Sequence, residues 1–265
     1  MKWMIRVATG ALALFSLAAC SQSPTGRSQL TLFSEEQLEQ MGAQSFTQYE
    51  QELPVVGGQV GTYVQCVATA ITGELNAGET WEVKVFKDDS ANAFALPGGH
   101  IGVNTGLLAV ATNQDQLAAV IGHEVAHVLA SHANERVSTQ AATQTGLSVL
   151  QAAVGLNSAG GQQLMGLLGM GAKYGIILPF SRQHESEADT LGLNLMAQAG
   201  FDPRASIALW QNMSAGSQGQ PPVWLSTHPS HGQRINDLQA HMNEATALYE
   251  QARAAGKHPS CQEPG

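Results

Sequence analysis

VIGHEVAHVLASHANE, residues 120–135, sets His123 and His127 four positions apart in a run of apolar and small residues. On an α-helix that spacing leaves the two imidazoles about 40° apart around the axis, one above the other. Two imidazoles in that arrangement grip one side of a tetrahedral Zn²⁺. Glu124 is the next residue round, placed to reach a water on the open side of such an ion rather than the ion itself. The pattern alone does not separate a buried helix that carries histidines from half of a metal site. The third ligand decides.

A thermolysin-like arrangement places a Glu within about two dozen residues of the second His. Glu135 is the only acid in that window and, on a continuous helix, cannot close the site. The extended metzincin pattern needs Gly and His where Ala130 and Ala133 stand. His132 does not rescue it, because nine residues beyond His123 is the opposite face of one helix. What remains is SRQHESEADTLG, residues 181–192, in which Glu185 and Asp189 form an i, i+4 pair on a helix that opens just after Pro179 and Ser181. A carboxylate on that first turn can supply a third ligand. Asp189, one turn on, can accept the second N–H of a ligating His and fix its tautomer. Glu187 lies about 200° from Glu185 and is expected to face solvent or an arginine. His184, His231, His241 and His258 have no motif support and read as surface residues.

Outward from this core the pattern is α+β and mostly helical, with a small β-sheet beside the HExxH helix. Ser34 followed by Glu35, Glu36 and Gln37 predicts a capping box and a helix to about Glu52. A second helix is expected over Gly58–Asn76, with Val60, Val64, Val67, Ala68 and Ile71 at helical spacing. Trp81–Lys87 alternates as a strand, and two short strands follow at Ala93–Leu96 and His100–Asn104 around a Pro97-Gly98-Gly99 turn. Asn113 is an N-cap for the HExxH helix. Residues 136–184 hold no acid and read as a close-packed helical pair, a mobile lid or a membrane-facing surface, with packing favoured and no apolar window long enough to span a bilayer. Helices are expected over Glu185–Ala199, from Asp202-Pro203 to Met213, and over His231–Ala254. There is no internal repeat.

Charged residues make up 12% of the 265, and the formal net charge is −9, with no basic block, which argues against a nucleic-acid partner. Lys2 and Arg6 precede an apolar run at Val7–Leu17 that ends in Leu17-Ala18-Ala19-Cys20, similar to the lipobox of bacterial lipoproteins. The expected organisation is a signal peptide over 1–19, an acylated Cys20 with a polar tether over 20–33, and one catalytic domain over 34–265. Ser21, in place of an Asp, leans towards the outer membrane. Cys66 and Cys261 remain, either bridged or as two unrelated thiols.

HEVAH, then SR..E.EAD..G, then THP....RI together resemble the membrane-associated zinc endopeptidases of the HtpX, Oma and CAAX prenyl protease family, peptidase family M forty-eight. With the lipobox, the chain is most similar to the periplasmic lipoprotein group that includes LoiP and BepA. The resemblance runs from about Ser34 to Leu248. It implies a bound Zn²⁺ with ligands His123, His127 and Glu185, general base Glu124, Asp189 behind the ligands, and a cleft bordered by STHPSHGQRI, residues 226–235. Arg234 is the expected cation for a developing oxyanion. His228 is expected either to bond substrate or to join the zinc as a fourth ligand and keep the enzyme latent. Asn92, Ala93, Phe94 and Ala95 match the family's edge strand, which can hold an extended peptide by strand addition. The implied role is cleavage of unfolded or misassembled envelope proteins at the periplasmic face of the outer membrane. The alternative is an assembly factor that binds such clients and rarely cuts.

Overall fold

The computed structural model describes residues 20–75, 80–143, 180–215, 223–228 and 234–264. The signal-peptide reading of residues 1–19 lies outside them, as do Asn76, the greater part of the acid-free stretch (residues 144–179), and residues 229–233 with His231.

Ser34 opens α1, Glu35–Glu52, with a full capping box: its hydroxyl accepts from the Gln37 N–H, and the Gln37 side chain accepts from the Ser34 N–H. Two short strands come before it, β1 at Cys20–Gln22 and β2 at Ser28–Leu30, paired antiparallel. The segment expected as a polar tether holds this hairpin, and hydrogen bonds join it to the body. The Gln29 amide donates to the Ala130 carbonyl at 2.5 Å, and the Leu32 N–H donates to Ser138 at 2.8 Å.

A four-stranded sheet follows in the order β3-β4-β6-β5, from β3 Val55–Val56, β4 Glu82–Phe86, β5 Ala93–Leu96 and β6 His100–Asn104. The β4–β6 pair is parallel and the other two are antiparallel. The β5–β6 turn passes through Gly98 and Gly99 at φ 87° and 79°, a region where a Cβ would clash with the backbone. β5 is left at the sheet edge. Phe46 and Tyr49 of α1 meet Phe86 and Phe94 of the sheet in an edge-to-face aromatic cluster.

Helix α2, Gly58–Thr72, buries Val64, Val67, Ala68 and Ile71. Helix α3, Gln114–Leu129, starts at Asn113, whose side chain accepts from the Gln116 N–H at 2.9 Å. It is the central element, packed on α2, on β5, on α5 (Arg182–Gln198) and on α6 (Ala205–Ala215). It does not run on through His132. Ala130 caps it, Ser131 turns at φ 53°, and a separate helix α4 covers His132–Thr143. The last described helices are the short α7, Val223–Thr227, and α8, Arg234–Ala254.

The C-terminal tail returns to α2 and the start of α3. Cys66 and Cys261 form a disulfide, the Cys261 N–H donates to Gln114, and the Gln114 amide donates to the Pro259 carbonyl. Among the described residues no helix is long and apolar enough to cross a membrane.

Candidate metal centre

Three elements bring the site together. Helix α3 carries His123, Glu124 and His127; α5 carries Glu185 and Asp189; His228 directly follows α7. The α3–α5 contact is close because both helices have glycine there. A Cβ on Gly122 would lie 2.8 Å from the Gly192 carbonyl oxygen. Glu185 sits on the first turn of α5, whose N-cap Ser181 accepts from the His184 N–H at 3.2 Å.

His123, His127, Glu185 and His228 are all buried, and one donor atom from each falls within 4.8 Å of the others. The Nε2 atoms of His123 and His127 are 3.1 Å apart, and the Nε2 of His123 is 3.3 Å from the Nδ1 of His228. Glu185 Oε1 is 3.1 Å from His228 Nδ1 and 3.6 Å from His127 Nε2, and its Oε2 is 3.5 Å from His123 Nε2. A tetrahedral Zn²⁺ with bonds of about 2.0–2.1 Å has ligand–ligand edges of about 3.3–3.4 Å. The spacings bracket that length, and three imidazoles with one carboxylate, free of thiolates, are donors zinc accepts. The residues fit the ion.

Each donor is aimed by a partner behind it. His123 Nδ1 donates to Asp189 Oδ1 at 3.0 Å. Arg234 donates to that same oxygen at 2.5 Å and to Glu185 Oε2 at 2.8 Å, and its guanidinium lies 3.8 Å over the Trp210 ring. Arg234 thus sits behind the donors with both terminal nitrogens engaged, only 2% exposed. The cation expected beside a developing oxyanion thus lies against two buried carboxylates, with one nitrogen 3.3 Å from the Nε2 of His123. His228 is stacked between Phe180 and Trp224, at 5.0 Å from each ring. Glu124 accepts from the indole N–H of Trp224 at 2.6 Å and stands 3.5 Å from His228 Nε2.

The charges follow these contacts. Burial opposes the Glu185 charge, but His228 and His123 outweigh it and hold the carboxyl well below the usual range. Burial and the Arg234 charge push His123 down, yet Asp189 and Glu185 carry it up to about 9. Burial, with His123 and His228, drives His127 well below an ordinary imidazole.

One open alternative is decided, and one surface assignment, that of His184, is corrected. Glu187 is 6% exposed and accepts from Arg27 at 3.0 Å, so of the two expected environments it takes the arginine and not solvent. His184 is 7% exposed and bonds Glu135 at 3.0 Å, whereas His258 is exposed. His132, on α4, is fully buried and reaches the Nδ1 of His127 at 2.8 Å. Sequence reasoning missed His132 and Trp224. A His five residues past HExxH was the available signal for the first, and none marked the second.

Asn92–Ala95 sit at and beside the β5 edge of the sheet. The Asn92 carbonyl accepts from the Asn104 N–H at 3.0 Å, Ala93, Phe94 and Ala95 pair Val103, Gly102 and Ile101, and the Phe94 ring covers Gly102. The Ala91 carbonyl accepts from the Trp224 N–H at 3.3 Å, tying α7 to this edge. A groove of about 220 Å³, lined by Glu35, Leu38, Pro97, His127 and Asn134 among others, runs between α1 and the β5–β6 turn.

A helix-borne pair of imidazoles, the Glu between them and a carboxylate converging from a second helix define the site of an HExxH metallopeptidase. The model of peptidase family M48 matches residues 58–242, and the chain belongs to that family. It is 42% identical over 167 residues to the mitochondrial metalloendopeptidase OMA1 of Schizosaccharomyces pombe, covering 62% of this chain and 48% of that protein. It is 33% identical over 256 residues to the mitochondrial metalloendopeptidase OMA1 of Danio rerio, covering 89% and 53%. It is 28% identical over 222 residues to the beta-barrel assembly-enhancing protease of Escherichia coli, covering 80% and 45%. The chain spans about half the length of these relatives.

Proposed function

We propose that the protein is a zinc metalloendopeptidase that cleaves extended segments of unfolded or misassembled envelope proteins. The observation that carries this is the convergence of His123, His127 and Glu185 from two helices beside the Glu124 carboxylate. A Zn²⁺ held there supplies Lewis acidity to the scissile carbonyl and lowers the pKa of water beside it. Glu124 takes the proton of the attacking water and passes it to the departing amide nitrogen. Trp224 keeps the Glu124 carboxylate in place for both transfers. The β5 edge offers backbone N–H and C=O groups to a substrate strand, a mode of holding that ignores side-chain identity.

His228 lies among the donors with its other nitrogen beside Glu124, where the attacking water must stand. This conformation is latent, and activity requires the His228 ring to leave the donors while Trp224 of α7 stays on Glu124.

The envelope assignment is supported by the lipobox ending at Cys20 and by the Escherichia coli relative, whose name places it in β-barrel assembly. In this reading Cys20 carries lipid at the periplasmic side of the outer membrane. Cys20→Ala should release the protein from the membrane fraction; an unchanged distribution argues against the anchor.

The test of activity is Glu124→Gln beside wild type. The variant should keep its zinc and lose at least about 10²-fold in casein cleavage. Equal cleavage by both contradicts the mechanism. If the variant also rescues an envelope-assembly defect undiminished, the protein acts on its clients by binding.

A further inference from the structure

We infer that His132 and Glu187 are positioning residues of the metal centre, held in place by Arg27 and Thr25 of the N-terminal hairpin. This rests on the reading of His127 as a zinc ligand.

The hydrogen bonds running outward from His127 admit one proton arrangement. Glu187 is a carboxylate that accepts from Arg27 Nε at 3.0 Å and from the Thr25 hydroxyl at 2.5 Å, so it is ionised and only accepts. His132 Nε2, 3.1 Å from Glu187 Oε2, therefore carries the proton of that bond. In a neutral imidazole the other nitrogen is then an acceptor. His132 Nδ1 lies 2.8 Å from His127 Nδ1, so the His127 nitrogen is the donor. That leaves the lone pair of His127 on Nε2, the atom that faces His123 and Glu185. The reverse tautomer would set two lone pairs against each other at Nδ1 and aim an N–H into the donor cluster. A doubly protonated His132 would do the same to Nε2. Only the order Glu187, His132, His127 leaves an atom that can bind a cation.

The surroundings hold this chain rigid. His132 is fully buried and stacks on the His184 ring at 4.5 Å. His184 donates to Glu135 at 3.0 Å, and both oxygens of Glu135 accept from Arg27 at 2.7 Å. One guanidinium thus orients the carboxylate that His132 bonds and also the one that fixes the ring stacked on His132. Arg27 immediately precedes β2, and the neighbouring Gln29 is tied to Ala130, three residues beyond His127. The hairpin that begins at Cys20 is a structural part of the metal centre, so loss of its contacts should be felt at the zinc.

The test uses the full chain loaded with zinc, with its zinc dissociation constant measured by competition with a chromophoric chelator. Melting temperature at saturating zinc is recorded beside it. His132→Phe, which keeps a ring but removes the acceptor, should raise the dissociation constant about 10–100-fold. Glu187→Ala and Arg27→Ala should weaken zinc in the same direction. Glu187→Gln still accepts from His132 and should stay closer to wild type than Glu187→Ala. His132→Gln, whose amide oxygen can take the His127 proton, should recover part of the loss and replaces the phenylalanine variant if that one does not fold. Wild-type zinc affinity in His132→Phe and Arg27→Ala, whether or not they melt earlier, overturns the inference. If instead wild type holds no zinc, or His127→Ala holds it equally well, the ligand reading itself has failed.

Discussion

Gly122 on α3 and Gly192 on α5 are in backbone contact: a Cβ on Gly192 would sit 2.7 Å from the His123 nitrogen. This contact sets how near the Glu185 carboxylate comes to the histidine pair. Gly192→Ala should push the helices apart, destabilise the fold by about 1–3 kcal/mol and weaken zinc binding. Thermal melting with and without zinc measures both. Unchanged zinc affinity in the variant shows that the approach of the helices is not the determinant.

Arg234 neutralises two buried carboxylates, Glu185 and Asp189. Arg234→Met should cost about 3–5 kcal/mol in the metal-free protein, because both acids lose their cation. The loss should shrink when zinc is present, since zinc supplies part of the missing charge to Glu185. Chemical denaturation of metal-free and zinc-loaded forms checks this; an equal loss in both contradicts the pairing.

Glu135 gives a pH signature away from the donors. Burial works against its charge, but Arg27 and His184 prevail and lower its pKa below the ordinary value. The native state binds that proton less readily than the unfolded chain. Its stabilisation is therefore present above about pH 4.5 and lost as pH falls below it. Denaturation of the metal-free protein between pH 6 and 3 should show a steeper fall in wild type than in Glu135→Gln. Parallel slopes would show that Glu135 does not contribute to the acid transition.

The Cys66–Cys261 disulfide joins positions 195 apart in the sequence. Replacing both cysteines by serine should cost about 2–5 kcal/mol. Zinc content at low temperature should not change, because neither cysteine touches the four donors. Loss of zinc from the folded double variant would link the tail to the site.

How far the site can be read in the chain depends on the range of the interactions that build it. HEVAH and the Glu185–Asp189 pair are local helical spacings, and the caps at Ser34, Asn113 and Ser181 are local hydrogen bonds, so each is visible in a short window. The end of α3 is not, because Ala130-Ser131 carries neither Gly nor Pro and the backbone bends at an ordinary serine. That hidden break moves His132 from the far side of one helix to the back of His127. The role of Arg27 is hidden for another reason: its partners Glu135 and Glu187 are 108 and 160 positions away. Arg234 shows the limit of reading a charge by type alone. The pattern identified a cation near the cleft, and packing on Trp210 beneath the carboxylates decided which way it points.

X-ray absorption at the zinc edge of the loaded protein shows whether side chains from two separated helices close on one ion. One zinc per chain is expected, with a first shell of four nitrogen and oxygen atoms at about 2.0–2.1 Å, imidazole scattering behind it, and loss of that shell in Glu185→Ala. Less than stoichiometric zinc, a six-oxygen shell, or an unaltered spectrum in Glu185→Ala would contradict it.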